Sequence, residues 1–369
     1  MVSDAAAPVP VLDLSQDAAG VTRQLCDISS VSGNEGAIAD AVMAALQHDA
    51  HLELIRDGDC VIARTTLGRA ERVIIAGHLD TVPINNNLPV RDETRDGEAF
   101  LWGRGTVDMK AGVAVQLRLA HELTQPPVDL TWMWYDHEEV GAELNGLGRV
   151  QRNRPELFEG DFAILGEPSN GAIEGGCNGT ARVRLTMRGV RAHSARSWMG
   201  ENAIHRLAPI LERLRTFAAA TVEVEGLSYR EGLNAVSVLG GVAGNVIPDR
   251  ASVEVNYRFA PDKTPEQAVQ ALRDLFPDVD DFEVTDLAGG ARPGLDRPLA
   301  RRFVEAVGLP VRAKLGWTDV ARFSELGIPA VNFGPGDPSL AHADDERVAV
   351  RQISDTETAL RRWLGDDQT

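Results

Sequence analysis

The chain has 369 residues, of which 43% are hydrophobic and 25% charged, and a formal net charge of −18 at pH 7. That length exceeds one simple core and suits two domains, and the composition is that of an ordinary soluble globular protein. The acidic balance argues against nucleic acid or an anionic membrane as partner, because both need a basic face, but it leaves room for an anionic small molecule in a local basic pocket.

The N-terminal residues 1–19 carry Asp4, Asp13 and Asp17 with no basic segment before an apolar stretch. No signal peptide is expected there, and no later run approaches transmembrane length. Residues 19–47 predict two helices separated by the break Ser29-Ser30-Val31-Ser32-Gly33-Asn34. The continuous apolar run 73–76 predicts a buried strand ending at Gly77-His78. Within 109–123, Ala111, Val115 and Leu119 share a helical stripe, which puts Asp108 at that helix's N-terminus. Apolar strands are also expected at 130–135, before Glu138-Glu139, at 162–165, before Glu167, and at 330–333, from which a Gly-Pro-Gly loop leads to His342. Each candidate ligand thus follows the C-terminal end of a strand, the edge at which open α/β sheets build their sites.

Residues 180–288 read differently. Val183, Leu185 and Met187 alternate with Arg182, Arg184 and Arg188; a helix is expected over 202–217 and a strand near 235–240. Val253, Val255, Tyr257 and Phe259 mark another alternating strand, a helix opens at Thr264-Pro265-Glu266, and Phe282-Glu283-Val284 closes the unit. The order β-α-β-β-α-β is that of a ferredoxin-like domain inserted into the α/β domain. It carries none of the strand-end acids and reads as a lid or an oligomerisation module. Cys26, Cys60 and Cys177 are odd in number and lack CxxC spacing, which suits a reducing cytosol and argues against both a disulfide framework and a cysteine-rich zinc site. A cytoplasmic location is expected.

His78, Asp108, Glu138, Glu139, Glu167 and His342 are costly beside apolar strands unless cations compensate them. Imidazoles and carboxylates without thiolate suit zinc, cobalt or manganese. Asp108 is the best bridging candidate, since one carboxylate can hold two ions ~3.5–4 Å apart. Asp80 is placed to accept the other N–H of His78. In the Glu138-Glu139 pair, neighbours on an extended segment point apart, so one can ligate while the other takes a proton from the attacking water. Singly, each feature has an ordinary reading: a strand-end hydrogen bond, a helix cap, a solvated turn or a surface loop. Their joint occurrence at strand ends points to a two-metal hydrolase. His48, His51 and His121 read as surface residues, His205 as helical with no role, His137 as ambiguous, and His193 by composition as structural.

The series Gly77-His78-Leu79-Asp80-Thr81-Val82-Pro83, Gly103-Arg104-Gly105 with Asp108-Met109-Lys110, Asp136-His137-Glu138-Glu139, Gly166-Glu167-Pro168 and His342 resembles the M20 family of dinuclear metallohydrolases. The resemblance spans essentially the whole chain. It implies an α/β protein with a zinc-peptidase-like mixed-sheet catalytic domain over 1–178 and 291–369. A ferredoxin-like α+β lid and dimerisation domain would occupy 179–290. Further segments, among them 191–200, 229–233, 241–248, 316–320 and 333–338, resemble the actinobacterial succinyl-diaminopimelate desuccinylase branch. That branch implies hydrolysis of an N-succinyl amino acid in lysine and cell-wall precursor synthesis. The resemblance implies two divalent ions, zinc or cobalt: His78, Asp108 and Glu167 around one, Asp108, Glu139 and His342 around the other. It makes Glu138 the general base and acid, with Asp80 behind His78. It reverses the reading of His193, which would reach a partner subunit's active site in a homodimer and stabilise the oxyanion. Asn245 and Arg258 match substrate-contacting residues, Arg258 suiting a carboxylate. Two departures stand out. Leu79 replaces a polar residue of some relatives, and Asn178-Gly179-Thr180 lacks an arginine that some desuccinylases carry. A related deacylase, dipeptidase or carboxypeptidase, a non-catalytic metal-binding scaffold and a metal-free regulatory module are the other readings.

Overall fold

The computed structural model describes residues 9–365, so Asp4 lies outside it. The chain divides into two compact units: one of residues 9–174, 294–312 and 322–365, the other of Gly175–Pro293 with Ala313–Ala321. The second unit takes in 313–321, a segment expected in the resumed first domain. Asn178 N donates to Lys314 O (3.2 Å) and Trp317 Nε1 to Gly289 O (3.1 Å), which ties that segment to it.

An eight-stranded mixed sheet forms the first unit, in the order Glu53–Asp57, Cys60–Arg64, Asp129–Tyr135, Arg72–His78, Phe162–Leu165, Ala330–Asn332, Ile173–Gly175, Val311–Ala313. Arg72–His78 runs parallel to both Asp129–Tyr135 and Phe162–Leu165, and Ala330–Asn332 runs parallel to Phe162–Leu165. These neighbours therefore end at one edge, with His78 opposite Tyr135 and Ala76 opposite Leu165. Every residue of Asp129–Tyr135 is buried. Burial on both faces is why these strands read as unbroken apolar runs rather than alternating ones.

The helices Ala18–Asp27 and Gly36–Leu46 flank the expected break. The helix Lys110–Glu122 differs from its amphipathic reading, for Lys110 through Leu117 are all buried. It packs among the sheet, Ala18–Asp27 and Val350–Trp363, so it has no wet face over its first turns. Its buried polar side chains donate inward: Lys110 Nζ to Leu25 O and Ile28 O (3.1 and 2.8 Å), and Gln116 Nε2 to Ala76 O (2.9 Å), while Gln116 Oε1 has no hydrogen-bond partner. Gly112 lets this helix approach the sheet, since a Cβ there would lie 2.2 Å from Gly166 O. A small antiparallel sheet, unforeseen from the sequence, joins Arg347–Ala349, Glu98–Trp102 and Arg91–Arg95.

The second unit holds a four-stranded sheet in the order Gly232–Gly240, Arg250–Phe259, Gly179–Arg188, Asp281–Ala288, with every neighbour antiparallel. With its helices this is the expected β-α-β-β-α-β arrangement. Val183, Leu185, Val253, Val255 and Phe259 fill its core from one face of the sheet. Thr264 caps Pro265–Leu275 through a capping box with Gln267. The helix expected over 202–217 is two, Ala203–Arg206 and Ala208–Arg215. Pro209 has no N–H for a bond one turn back and so starts a new helix. Among the described residues no helix is long and apolar enough to cross a membrane.

Candidate metal centre

Three strand ends of the large sheet and two further loops bring the expected ligands together. His78 is the last residue of Arg72–His78, and Glu138-Glu139 and Glu167 lie just beyond Asp129–Tyr135 and Phe162–Leu165. Asp108 does not cap the following helix: Met109 holds the cap position, joined to Asp108 by a cis peptide bond. Asp108 instead follows Glu98–Trp102 of the small sheet, and His342 precedes its neighbour Arg347–Ala349. Two ligands therefore arrive from an element that the apolar runs do not reveal.

The donor atoms converge. His78 Nε2 lies 3.1 Å from Asp108 Oδ1 and 4.0 Å from Glu167 Oε1. His342 Nε2 lies 3.2 Å from Asp108 Oδ2 and 2.9 Å from Glu139 Oε1. Within each of the sets His78–Asp108–Glu167, His78–Glu138–Glu139 and Asp108–Glu139–His342, one ligand atom from every residue lies within 4.8 Å of the others. Two ligands on a tetrahedral ion with bonds of ~2.0–2.1 Å sit about 3.3 Å apart. Three of the four separations are within about 0.4 Å of that, and the fourth, 4.0 Å between His78 and Glu167, exceeds it by about 0.7 Å. Asp108 presents one oxygen to each imidazole, the disposition a bridging carboxylate needs. The donor set of carboxylates and imidazoles fits two divalent ions, and the buried cysteines stand outside it.

The neighbouring carboxylates favour the charged form of both imidazoles. Burial disfavours charge on His78, but the hydrogen bonds it donates to Asp108 and Asp80 outweigh it and raise its pKa well above the ordinary imidazole value. The same bonding to Asp108 and Glu139 lifts His342 to about 10. Asp108 is pushed up by burial, yet its bonds to His342 and His78 hold it well below the usual carboxylate range.

Asp80 does more than the expected backing of His78. Its Oδ1 lies 3.4 Å from His78 Nδ1, while His78 Nδ1 is also 3.0 Å from the Asp80 main-chain oxygen. The two carboxylate oxygens separately accept the backbone N–H groups of Glu138 and Glu139, each at 3.0 Å, and Oδ2 also accepts from Ser32 Oγ at 2.7 Å. Burial raises the Asp80 pKa, but these bonds and His78 bring it down to about 2. His137, ambiguous from the sequence, adopts φ +58 and turns the chain so that both following amides face Asp80. Glu35 Oε1 accepts the His137 N–H at 3.1 Å, and Asp136 Oδ2 lies 2.6 Å from His137 Nδ1. Three consecutive amides are thus held by two buried carboxylates, and this fixes where Glu138 and Glu139 stand. Glu35 and Ser32 sit in the inter-helix break, where nothing in the local sequence marks them as part of a site.

His193, Asn245 and Arg258 lie in the second unit. His193 is exposed on the two-residue strand Ala192–His193, and its Nδ1 accepts from Ala195 N at 3.0 Å. That strand pairs with Val246–Ile247, and Ser194 N donates to Asn245 O at 2.9 Å, so His193 and Asn245 are neighbours. Arg258 is half-buried on Arg250–Phe259, where burial lowers its pKa. Asn178, at the departure from the desuccinylase pattern, is buried and donates through Nδ2 to Arg230 O at 2.9 Å. Of the remaining histidines, His48 and His205 are exposed, while His51 Nε2 lies 2.9 Å from Ala120 O and His121 Nδ1 lies 2.9 Å from Asp49.

The sequence profile described as peptidase family M20/M25/M40 matches residues 74–366. The chain is 55% identical over 357 residues to a Mycobacterium tuberculosis protein named putative succinyl-diaminopimelate desuccinylase, covering 96% of this chain and all of that one. It is 47% identical over 367 residues to the succinyl-diaminopimelate desuccinylase of Corynebacterium glutamicum, covering 97% and 98% of the two chains. Among solved structures, a Staphylococcus aureus tripeptidase matches with a TM-score of 0.78 at 19% identity, covering 96% of this chain and 98% of that one, which shows a shared fold.

Proposed function

The chain belongs to peptidase family M20/M25/M40, and from that premise we propose that it is a metal-dependent hydrolase that cleaves N-succinyl-LL-2,6-diaminopimelate to succinate and LL-2,6-diaminopimelate. The observation that carries this reading is Asp108, whose two oxygens face His78 and His342 at 3.1 and 3.2 Å beside the Glu138-Glu139 pair. The full-length similarity to named desuccinylases favours the succinyl substrate over the deacylase, dipeptidase and carboxypeptidase alternatives.

A pair of divalent cations, zinc or cobalt, polarises an amide carbonyl and makes water acidic enough to attack it near neutral pH. His78, Asp108 and Glu167 would hold one ion, and Asp108, Glu139 and His342 the other. Glu138 takes the proton from the attacking water and returns it to the leaving amine. Asp80 keeps Glu138 in place by holding its amide and that of Glu139. In this proposal His193 from a partner subunit donates to the developing oxyanion, and Asn245 and Arg258 bind the substrate's polar ends.

A homodimer is supported by the edge strand Gly232–Gly240, where Val236, Val238 and Leu239 are 56%, 51% and 65% exposed. An apolar edge of this kind is a surface that proteins normally cover. The second unit would then be the lid and dimerisation domain, and the enzyme a cytoplasmic one. The test is a panel of N-succinyl, N-acetyl and dipeptide substrates assayed with zinc or cobalt. N-succinyl-LL-2,6-diaminopimelate should give the largest kcat/KM, and a better dipeptide or N-acetyl substrate would overturn the assignment.

A further inference from the structure

We infer that the buried pair Arg104–Glu346 is a positioning device that sets the affinity for the ion between Asp108, Glu139 and His342. The inference rests on the two-metal reading above. Asp108 and His342 come from distant stretches and meet because Glu98–Trp102 and Arg347–Ala349 pair antiparallel, with Trp102 opposite Arg347. One further ladder bond, Gly103 N to Glu346 O at 2.9 Å, carries the pairing into the two ligand loops.

Beyond that bond the side chains take over. Arg104 Nη1 donates to Glu346 Oε2 at 2.7 Å, and the two residues are 3% and 0% exposed. Each then grips the backbone of the other's loop at the ligand itself. Glu346 Oε1 accepts from Val107 N at 2.9 Å and from Asp108 N at 3.2 Å. Arg104 reaches back to the carbonyls of His342 and Ala343, both at 3.4 Å. His342 sits at φ +64, a conformation a non-glycine residue keeps only when its surroundings hold it there.

Stability alone is a weak reason for this arrangement, since a buried ion pair is often no better than apolar packing of equal volume. Its contacts are reciprocal and end on the two ligand residues. The partners on the other side of Asp108 are carried differently. His78 ends a strand of the large sheet and Glu167 follows another, so the ion they hold has only the shared Asp108 tied to the Arg104–Glu346 pair, whereas the other ion has both Asp108 and His342. The inference is therefore selective: the ion using His342 should depend on Arg104 and Glu346 far more than the ion using His78 and Glu167.

The test is titration of metal-stripped protein with Co²⁺, followed by visible absorption and calorimetry. Glu346→Gln removes the charge that pairs with Arg104, and Arg104→Lys keeps the cation but loses the fork that reaches the two carbonyls. Both should weaken one ion by about 10–100-fold, the usual effect of losing an outer partner, and leave the other within about threefold. His342→Ala should weaken the same ion. Asp129→Asn is the control: its carboxylate also accepts two amides, Leu67 N and Arg69 N at 2.8 Å, but at the far end of its strand from the site. That variant should lower the melting temperature and leave both affinities unchanged. Equal weakening of both ions, or a lower melting temperature with both affinities intact in Glu346→Gln and Arg104→Lys, would overturn the inference. Wild-type protein taking up fewer than two ions would instead bring down the two-metal reading on which it rests.

Discussion

Replacing Asp80 by asparagine probes how the Glu138-Glu139 loop is held. The side chain is fully buried and accepts four contacts: Glu138 N and Glu139 N at 3.0 Å, Ser32 Oγ at 2.7 Å and His78 Nδ1 at 3.4 Å. Asparagine keeps the shape but offers one oxygen and one NH2. Whichever way the amide is turned, one of the two backbone N–H groups faces another donor. The loss is one charge-assisted bond, about 1.5–3 kcal/mol, plus an unsatisfied buried N–H, about 1–3 kcal/mol. Ser32 can rotate its hydroxyl to accept and so adds little. Asp80→Asn should therefore lose roughly 2.5–6 kcal/mol in urea denaturation of the metal-loaded protein. Its kcat should fall as well, because Glu138 is no longer held. A loss below about 1 kcal/mol with kcat within threefold of wild type would refute the claim that Asp80 holds the loop.

Three further outcomes follow from the geometry. Glu138→Gln should retain both ions by elemental analysis and lose about 10²–10⁴ in kcat, and unchanged turnover would remove Glu138 from its role. Metal binding at pH 7 should release protons, read from calorimetry in buffers of different ionisation enthalpy, because carboxylates hold both imidazoles protonated in metal-free protein. The sign is fixed by the raised His342 pKa. In metal-free protein its contribution to stability is fully present below the unfolded value of about 6.5 and is lost as pH rises through about 10. Metal affinity must rise across that same window, and a pH-independent affinity would contradict the assignment. Leu239→Glu, on the exposed edge strand, should convert a dimer to a monomer in light scattering and lower kcat through loss of the partner's His193.

The strands that carry His78, Glu138-Glu139 and Glu167 were legible because burial on both faces makes them unbroken apolar runs that stop at a charged residue. The inserted domain was legible for the opposite reason: one face is wet, so Val253, Val255, Tyr257 and Phe259 alternate cleanly. What could not be read is the small sheet, whose strands are five residues or shorter: Arg91–Arg95 is charged and largely exposed, and Glu98–Trp102 buries only Leu101 and Trp102. Its pairing is a long-range fact about Trp102 and Arg347 that leaves no local periodicity. Glu346 was hidden for a related reason. In the run Asp344-Asp345-Glu346-Arg347 it looks like one more solvated acid, and only the tertiary structure buries it against Arg104. The helix Lys110–Glu122 gave its place but not its environment: that Lys110 and Gln116 are buried, donating to Leu25, Ile28 and Ala76 carbonyls, is settled only by the tertiary structure.

The most direct measurement is anomalous diffraction at the zinc or cobalt edge from crystals grown with an excess of that metal. The account requires two peaks per chain, one on each side of the Asp108 carboxylate and each at about 2.0–2.2 Å from one of its oxygens. His78 and Glu167 should complete one site, and Glu139 and His342 the other. A single peak, or two peaks that do not share Asp108, would contradict it.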